Sequence, residues 1–242
     1  MQYPPVARAK SCSRLAICLA LGLLAAGCST TIVRRKVEKK AEQKLQTALG
    51  PADSYKVRIT GTRDSELVRG RARQVEVDGT KIRARGQMLI DSMRLTAEDL
   101  RYTGEEPYYV TVGRTDLELE FTDAALNEYL AKYEKKYQPV LHFHPDRVDV
   151  KMVYPFLGKP TPISGSGRLV VEEATRLLFK ADKVDLSFLN KPGFGEKFVE
   201  DRINPLLDMG EIQFPARLES VTVMEGRIHA HGSASIPRDP KN

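Results

Sequence analysis

The hydrophobic residues of this chain recur with two periods, one typical of helices and one typical of strands. The helical spacing predicts a helix over 32–49, a second that begins at Thr122-Asp123 and ends before Pro139, and a third over 194–207. Pro205 lies inside the third pattern and is expected to kink or end that helix. Alternation of apolar and polar residues predicts strands before, between and after the second and third helices.

Three details of the strand pattern predict how the chain turns and bends. Asp78-Gly79 stands between two alternating runs and predicts a tight hairpin turn. The alternation slips by one residue between Ile90 and Met93 and again near Gly113, which predicts bulges that bend the sheet. Residues 155–167 are rich in Pro, Gly and Ser and are predicted to form a loop between two strands.

The order of these elements predicts the fold class. Strands linked mostly by hairpins, with one apolar and one charged face, are typical of an antiparallel sheet that has one wet side. Interrupted by three helices, they predict an α+β fold with a long, strongly curved antiparallel sheet. No short repeat is visible in the sequence, and the pattern favours a single domain.

A separate apolar segment, residues 15–28, precedes the predicted fold. It follows three basic residues and ends in small residues and a cysteine, LAICLALGLLAAGC, so it resembles a bacterial lipoprotein signal peptide. The alternative, a transmembrane anchor, is disfavoured because spanning a bilayer takes about 20 apolar residues. The resemblance implies that the signal, 1–27, is removed and that Cys28 becomes an N-terminus carrying acyl chains such as palmitate.

This cleavage predicts a chain in three parts. After the signal, 28–52 form a lipidated N-terminus with a basic amphipathic helix, and 53–242 form the folded domain. Ser29 stands where an Asp would favour retention at the inner membrane. We therefore expect the periplasmic face of the outer membrane in a bacterium with two membranes, and otherwise the outer face of the cell membrane.

Cysteine content and charge narrow the function classes. Cys12 and Cys18 leave with the signal and Cys28 is acylated, which excludes disulfides, cysteine nucleophiles and zinc or iron–sulfur sites on cysteine. The net charge of +6 includes Arg8, Lys10 and Arg14 of the signal, so about 6 − 3 = +3 remains, which is too small to predict nucleic-acid binding. Basic residues do cluster after Cys28, where they suit either an anionic membrane surface or an ordinary solvated helix face: Arg34, Arg35, Lys36, Lys39 and Lys40.

The four histidines form two His-x-His pairs, which could offer imidazoles to a metal from two strands. His142 with His144, and His229 with His231, alternate with apolar residues, so we expect them on the wet face of the sheet. A solvated surface is the favoured interpretation. No metal, cofactor or catalytic residue is predicted, and a histidine–metal hydrolase is a remote alternative.

Two long segments resemble the LmeA-like phospholipid-binding family. They are VRITGTRDSELVRGRARQVEVDGTKIRARGQMLIDSMRLTAEDLRY, from residue 57, and INPLLDMGEIQFPARLESVTVMEGRIHAHGSASIP, from residue 203. The resemblance implies a non-enzymatic envelope protein that binds phospholipid. The plan is also similar to that of tubular lipid-binding proteins, which implies that the curved sheet wraps around the amphipathic helices.

The resulting hypothesis is a membrane-anchored lipoprotein that holds phospholipid acyl chains in an apolar groove, for lipid transport or envelope homeostasis. The aliphatic faces of the second and third helices supply the predicted lining residues: Leu126, Leu130, Val199, Ile203, Leu206 and Leu207. Patterning alone does not distinguish a groove from a solid core. The alternative is therefore a structural or assembly lipoprotein that presents its charged face to an envelope partner.

Overall fold

The computed structural model describes residues 30–84, 88–102, 110–133, 136–185, 194–210 and 216–234. Four helices lie in these residues: α1 (Thr30–Ala48), α2 (Asp64–Val68), α3 (Asp123–Tyr133) and α4 (Phe194–Ile203). The strands are β1 (Ser54–Thr60), β2 (Arg71–Arg83), β3 (Leu89–Tyr102), β4 (Val110–Thr111), β5 (Arg114–Thr122), β6 (Val140–His144), β7 (Arg147–Phe156), β8 (Lys159–Glu172), β9 (Arg176–Asp185), β10 (Leu207–Asp208), β11 (Ala216–Met224) and β12 (Arg227–Ala234).

The strands form two antiparallel sheets around one core. The first sheet has the order β1-β2-β3-β5-β12-β11, with β4 paired to β3, and the second has the order β10-β9-β8-β7-β6. The antiparallel β-structure is strongly curled, like half a barrel. The predicted α+β class with a curved antiparallel sheet is therefore confirmed. One continuous hydrophobic cluster joins both sheets to α3 and α4. The buried hydrophobic residues of the described ranges all lie between Val37 and Ala230.

Helix α1 closes the free edge of the first sheet with acidic side chains. The backbone N–H groups of Val57 and Ile59 face away from β2, and they donate to Glu42 at 3.1 Å and Glu38 at 2.9 Å. Four helical residues rise about 6 Å, close to the length of two residues of strand, so acidic side chains one turn apart match alternate N–H groups. The helix thereby docks on the sheet, and Val37 on its apolar face is buried.

Helices α3 and α4 bind the second sheet in the same way, α3 at the edge strand β6 and α4 at β9 beyond the two residues that pair with β10. The Asn127 side-chain amide accepts from the N–H of Leu141 and donates to its C=O, both at 2.8 Å. Asn204, directly after α4, does the same to Phe179 at 2.7 and 2.8 Å. One turn earlier, Glu200 accepts from the N–H of Ala181 at 2.9 Å. Each helix is thus held to the sheet by polar side chains as well as by its apolar face.

Two predictions, the hairpin turn at Asp78-Gly79 and the loop over 155–167, are wrong. In both places the sequence has residues typical of turns, but the structure has strands. Strand β2 runs straight through Asp78-Gly79, and Asp78 lies between Arg58 at 2.8 Å and Arg94 at 3.3 Å on the neighbouring strands. Gly79 serves packing there, since a Cβ at this position would lie 2.7 Å from Ile82 Cδ1.

The predicted loop over 155–167 is instead the end of β7, a short turn and most of β8. Prolines 160 and 162 are tolerated because this part of β8 pairs with β7, while its described pairing with β9 begins only at Ser164. The predicted bulges also lie elsewhere. The register between β2 and β3 is unshifted, and the shifts occur at Ser166/Gly167 and at Leu218/Ser220.

The helix boundaries follow the sequence signals with small differences. Helix α4 begins at Phe194 as predicted and ends at Ile203, before Pro205. Helix α3 begins at Asp123 but ends at Tyr133, so Tyr137, predicted on its apolar face, lies beyond its end in a turn. Helix α2 is absent from the sequence prediction, because it spans only five residues.

A buried carboxylate joins β3 to the start of α3. Asp91 accepts hydrogen bonds from the N–H of Thr122 at 2.7 Å and its hydroxyl at 2.8 Å, and it forms an ion pair with Lys81. The Thr122 hydroxyl in turn caps α3 by accepting from the N–H of Ala125 at 3.2 Å. Burial alone would raise the pKa of Asp91, but the hydrogen bonds from Lys81 and Thr122 outweigh it and hold the pKa below its ordinary value.

We expect Asn127→Ala to destabilise the fold by about 2 kcal/mol, because it leaves the N–H and C=O of Leu141 without their partner. Alanine is the better helix former, so the intrinsic preference of α3 opposes this loss. The free energy of unfolding from urea titration measures the effect. The control is Gln43→Ala on the exposed face of α1, and an equal change in both variants would contradict a role for this hydrogen-bond pair.

We also expect Asp91→Asn to make the free energy of unfolding depend less on pH in the acid range. Because the folded pKa of Asp91 is lowered from 3.8, its contribution is present above about pH 4 and is lost as the pH falls through the lowered pKa. At neutral pH the variant should be about 1–3 kcal/mol less stable.

Unfolding free energies measured from pH 7 to pH 2 test this expectation. The control is Asp182→Asn, which removes an exposed ion pair with Arg168 at 2.8 Å and should cost less than about 1 kcal/mol at neutral pH. A profile for Asp91→Asn as steep as that of the wild type would refute the assignment.

Candidate functional site

The six predicted lining residues come together in the core beside the second sheet. Leu126 and Leu130 lie on α3, Val199 and Ile203 lie on α4, and Leu206 and Leu207 follow α4. All six belong to the continuous hydrophobic cluster, and none is more than 2% exposed. The two helices therefore present one aliphatic region between the edges that Asn127 and Asn204 close.

This aliphatic region is filled by its own side chains. A residue that is 0–2% exposed has almost no surface that a water molecule can reach. A hydrocarbon chain could contact these six residues only by moving side chains or a helix aside. The interior is nevertheless chemically suited to an acyl chain, because the surrounding cluster is apolar and most of its residues are aliphatic.

Three aromatic residues lie where this region meets solvent. Tyr137 and Tyr154 are stacked, with ring centroids 6.3 Å apart, and Tyr154 meets Phe198 edge-on at 4.9 Å. Tyr154 and Phe198 are partly buried and pack against the core cluster. Since Tyr137 precedes β6 and Phe198 lies on α4 next to β9, the cluster connects the opposite sides of the second sheet.

Two cations accompany the aromatic cluster. The guanidinium carbon of Arg202 lies 5.3 Å from the Tyr137 ring centre and 5.1 Å from that of Phe198. Lys136 places its Nζ 5.2 Å from the Tyr137 ring centre. Cations at this distance are attracted to aromatic rings. We define these five residues, Lys136, Tyr137, Tyr154, Phe198 and Arg202, as the aromatic–cation cluster.

A pocket of about 560 Å³ lies on the other face of the second sheet. Its lining includes Val140, Lys151, Ser164 and Asp185, which are consecutive cross-strand neighbours and therefore share one face. That face is opposite to the one on which Met152 and Ile163 pack into the core. None of the six predicted lining residues borders this pocket, which mixes apolar and charged side chains.

The histidine pairs lie on the wet face, as their alternation predicts. Ala230 between the second pair is buried, whereas His229 contacts Glu120 at 2.6 Å and His231 contacts Asp116 at 3.3 Å. His144 contacts Glu225 at 3.3 Å. Across the described ranges from 30 to 234, no group of three or more His, Cys, Asp or Glu residues is arranged to hold a metal.

The predicted lipidation site, Cys28, lies outside the described residues, as does the rest of the signal segment. Within the described part of the chain, no helix has the length and hydropathy needed to cross a bilayer. On α1, Arg34 donates to the C=O of Thr62 at 2.7 Å and pairs with Asp64. Arg35, Lys36 and Lys39 are exposed on the same helix.

Sequence reasoning missed the aromatic–cation cluster and the pocket for different reasons. The cluster joins residues far apart in the chain, and the spacing of Phe198 and Arg202, one turn apart on α4, was its only local signal. The pocket depends on the curl of the sheet and on β8, whose first half has the composition of a loop.

One of three comparisons with known proteins identifies a family for this chain. The family model for LmeA-like phospholipid-binding proteins matches residues 30–233, from the first residue of α1 into β12. No curated protein and no solved structure matches the chain significantly. Because the match covers both sheets and the helices α1 to α4, the chain belongs to the LmeA-like phospholipid-binding family.

Proposed function

We propose that the protein is a non-enzymatic lipoprotein that binds phospholipid acyl chains between the inner face of the second sheet and helices α3 and α4. The family match over 30–233 carries this proposal, since it identifies phospholipid as the ligand class. The aliphatic region around the six residues supplies the complementary surface.

Acyl binding at this place replaces one set of apolar contacts with another. Each methylene removed from water contributes about 0.8 kcal/mol, so one acyl chain supplies several kcal/mol without a polar contact. The displaced side chains are aliphatic too, and they can pack against the chain that displaces them. We propose that α4 moves to admit the lipid. Its polar attachments, Glu200 on the helix and Asn204 directly after it, bind backbone groups of β9 that water can equally hydrate.

Anchoring through an acylated Cys28 would keep this site close to a membrane that contains its ligand. The exposed basic residues of α1 follow Cys28 by only a few positions and suit an anionic lipid surface. We propose that the protein acts in envelope lipid transport or homeostasis, at the periplasmic face of the outer membrane or the outer face of a single membrane.

We expect phospholipid to bind the chain produced from Ser29 onward, which keeps every buried hydrophobic residue of the described ranges. The probe is phosphatidylglycerol with a photoreactive group near the end of one acyl chain. After irradiation, peptide mapping should place adducts on α3, α4 and residues 206–207. The matched reference is the outer-face pocket, where peptides containing Val140, Val153 and Pro162 should stay unlabelled.

The labelling pattern separates the alternatives. Adducts confined to the outer-face pocket would contradict the interior site while leaving phospholipid binding intact. No adduct, together with no lipid retained in native mass spectra, would contradict lipid binding and favour the structural or assembly lipoprotein. That alternative rests on the filled interior and the charged outer face of the sheet.

We further expect Cys28→Ser to abolish acylation of the full-length chain in a bacterial host. The wild-type protein should begin at Cys28 and carry the added mass of acyl chains, whereas the variant should carry none. Intact-mass spectrometry of the membrane fraction measures both. Cys12→Ser and Cys18→Ser are matched controls, since both residues lie in the predicted signal, and a mature wild-type chain without acyl mass would refute the lipoprotein assignment.

A further inference from the structure

The side chain of Arg202 has hydrogen-bonding capacity that the protein does not use. Its Nε atom is shut off from water and has no hydrogen-bond partner. Its guanidinium lies near the aromatic rings of Tyr137 and Phe198. A guanidinium N–H that is buried without an acceptor is costly, so an acceptor supplied by a ligand would relieve a deficit that already exists.

A second cation, Lys136, lies near the same Tyr137 ring. Lys136 and Arg202 both lie within 5.3 Å of the centre of the same Tyr137 ring. In the part of the chain that the structure describes, neither cation has a carboxylate within 4.0 Å. Two positive charges held near one ring repel each other, and an anion bound by Arg202 would offset that repulsion.

The position of the pair relative to the core indicates which anion it fits. Tyr154 and Phe198 of the aromatic–cation cluster pack against the hydrophobic cluster that contains Val199 and Ile203. A ligand with its hydrocarbon among those residues would therefore bring its polar end to Arg202 and Lys136. We infer that Arg202, assisted by Lys136, binds the phosphate of a phospholipid headgroup, an inference that rests on the proposed acyl-binding function.

The chemistry of the two side chains matches a phosphate diester. Arginine presents a planar set of N–H donors that fits two phosphate oxygens at once, whereas lysine acts as a point charge. Contacts with two aromatic rings restrain the guanidinium, so little side-chain entropy is lost on binding. Glycerol and headgroup substituents would extend toward solvent beyond the rings.

Phosphatidylglycerol and diacylglycerol with identical acyl chains test the inference, because they differ only in the phosphate headgroup. Their affinities are measured for the chain from Ser29 onward, for Arg202→Gln and for Arg202→Lys. Arg202→Gln should weaken phosphatidylglycerol binding about 10- to 100-fold and leave diacylglycerol binding unchanged. Arg202→Lys keeps the positive charge but loses the planar set of N–H donors, so it should give an intermediate loss of phosphatidylglycerol affinity.

The matched control is Arg168→Gln, in an exposed pair with Asp182 on the same sheet, and it should bind both lipids as the wild type does. Thermal unfolding confirms that each variant is folded. Unchanged phosphatidylglycerol affinity in Arg202→Gln, or an equal loss for both lipids, would overturn the headgroup site and leave acyl binding standing.

Two further outcomes are informative. One shows whether the site binds free phosphate instead of a lipid headgroup, and the other shows whether the proposed function itself fails. Inorganic phosphate alone should bind far more weakly than phosphatidylglycerol. If it binds as tightly, the site recognises free phosphate and the headgroup assignment is wrong. If the wild-type chain binds neither lipid, the proposed function itself fails and the headgroup site with it.

Discussion

The architecture depends on how the protein satisfies the backbone groups at the edges of its sheets. An unpaired strand edge is costly when buried and prone to pairing with other chains when exposed. Here Glu38 and Glu42 on α1 bind alternate residues of β1. Glu200 on α4 and Asn204 directly after it do the same on β9, and Asn127 on α3 binds both backbone groups of one β6 residue. The helices therefore occupy positions fixed by hydrogen bonds, and their apolar faces are directed toward the core.

This arrangement explains why the aliphatic region lies where it does. Helix α3 is held at the edge strand β6 and α4 is held at β9, and the apolar faces of both helices pack into the same continuous hydrophobic cluster. The aromatic–cation cluster forms where that hydrophobic cluster meets water, with Tyr154 from β7 and Phe198 from α4. One consequence is a gradient from aliphatic to aromatic to cationic side chains, which parallels the gradient along a phospholipid from tail to phosphate.

The sequence predicts the periodic parts of this fold and misses those that depend on distant contacts. Alternating strands, the start of α3 at Asp123 and the end of α4 before Pro205 follow local rules. Asp78-Gly79 misleads because turn chemistry and close packing both favour glycine, and only the neighbouring strands decide between them. Helical spacing picks out six residues that the structure buries, whereas no local pattern reveals that they are packed without intervening space.

The bonds that attach α4 differ in kind from those that build the second sheet. Asn204 and Glu200 bind backbone groups on the side of β9 away from β8, so the ladder between these two strands does not involve the helix. If α4 swings outward, every strand-to-strand hydrogen bond of the β8–β9 pair survives, and solvent takes over the exposed N–H groups of Phe179 and Ala181. Exposure of the apolar interior then requires the displacement of one helix, while the hydrogen bonds of the β8–β9 pair preserve that part of the sheet.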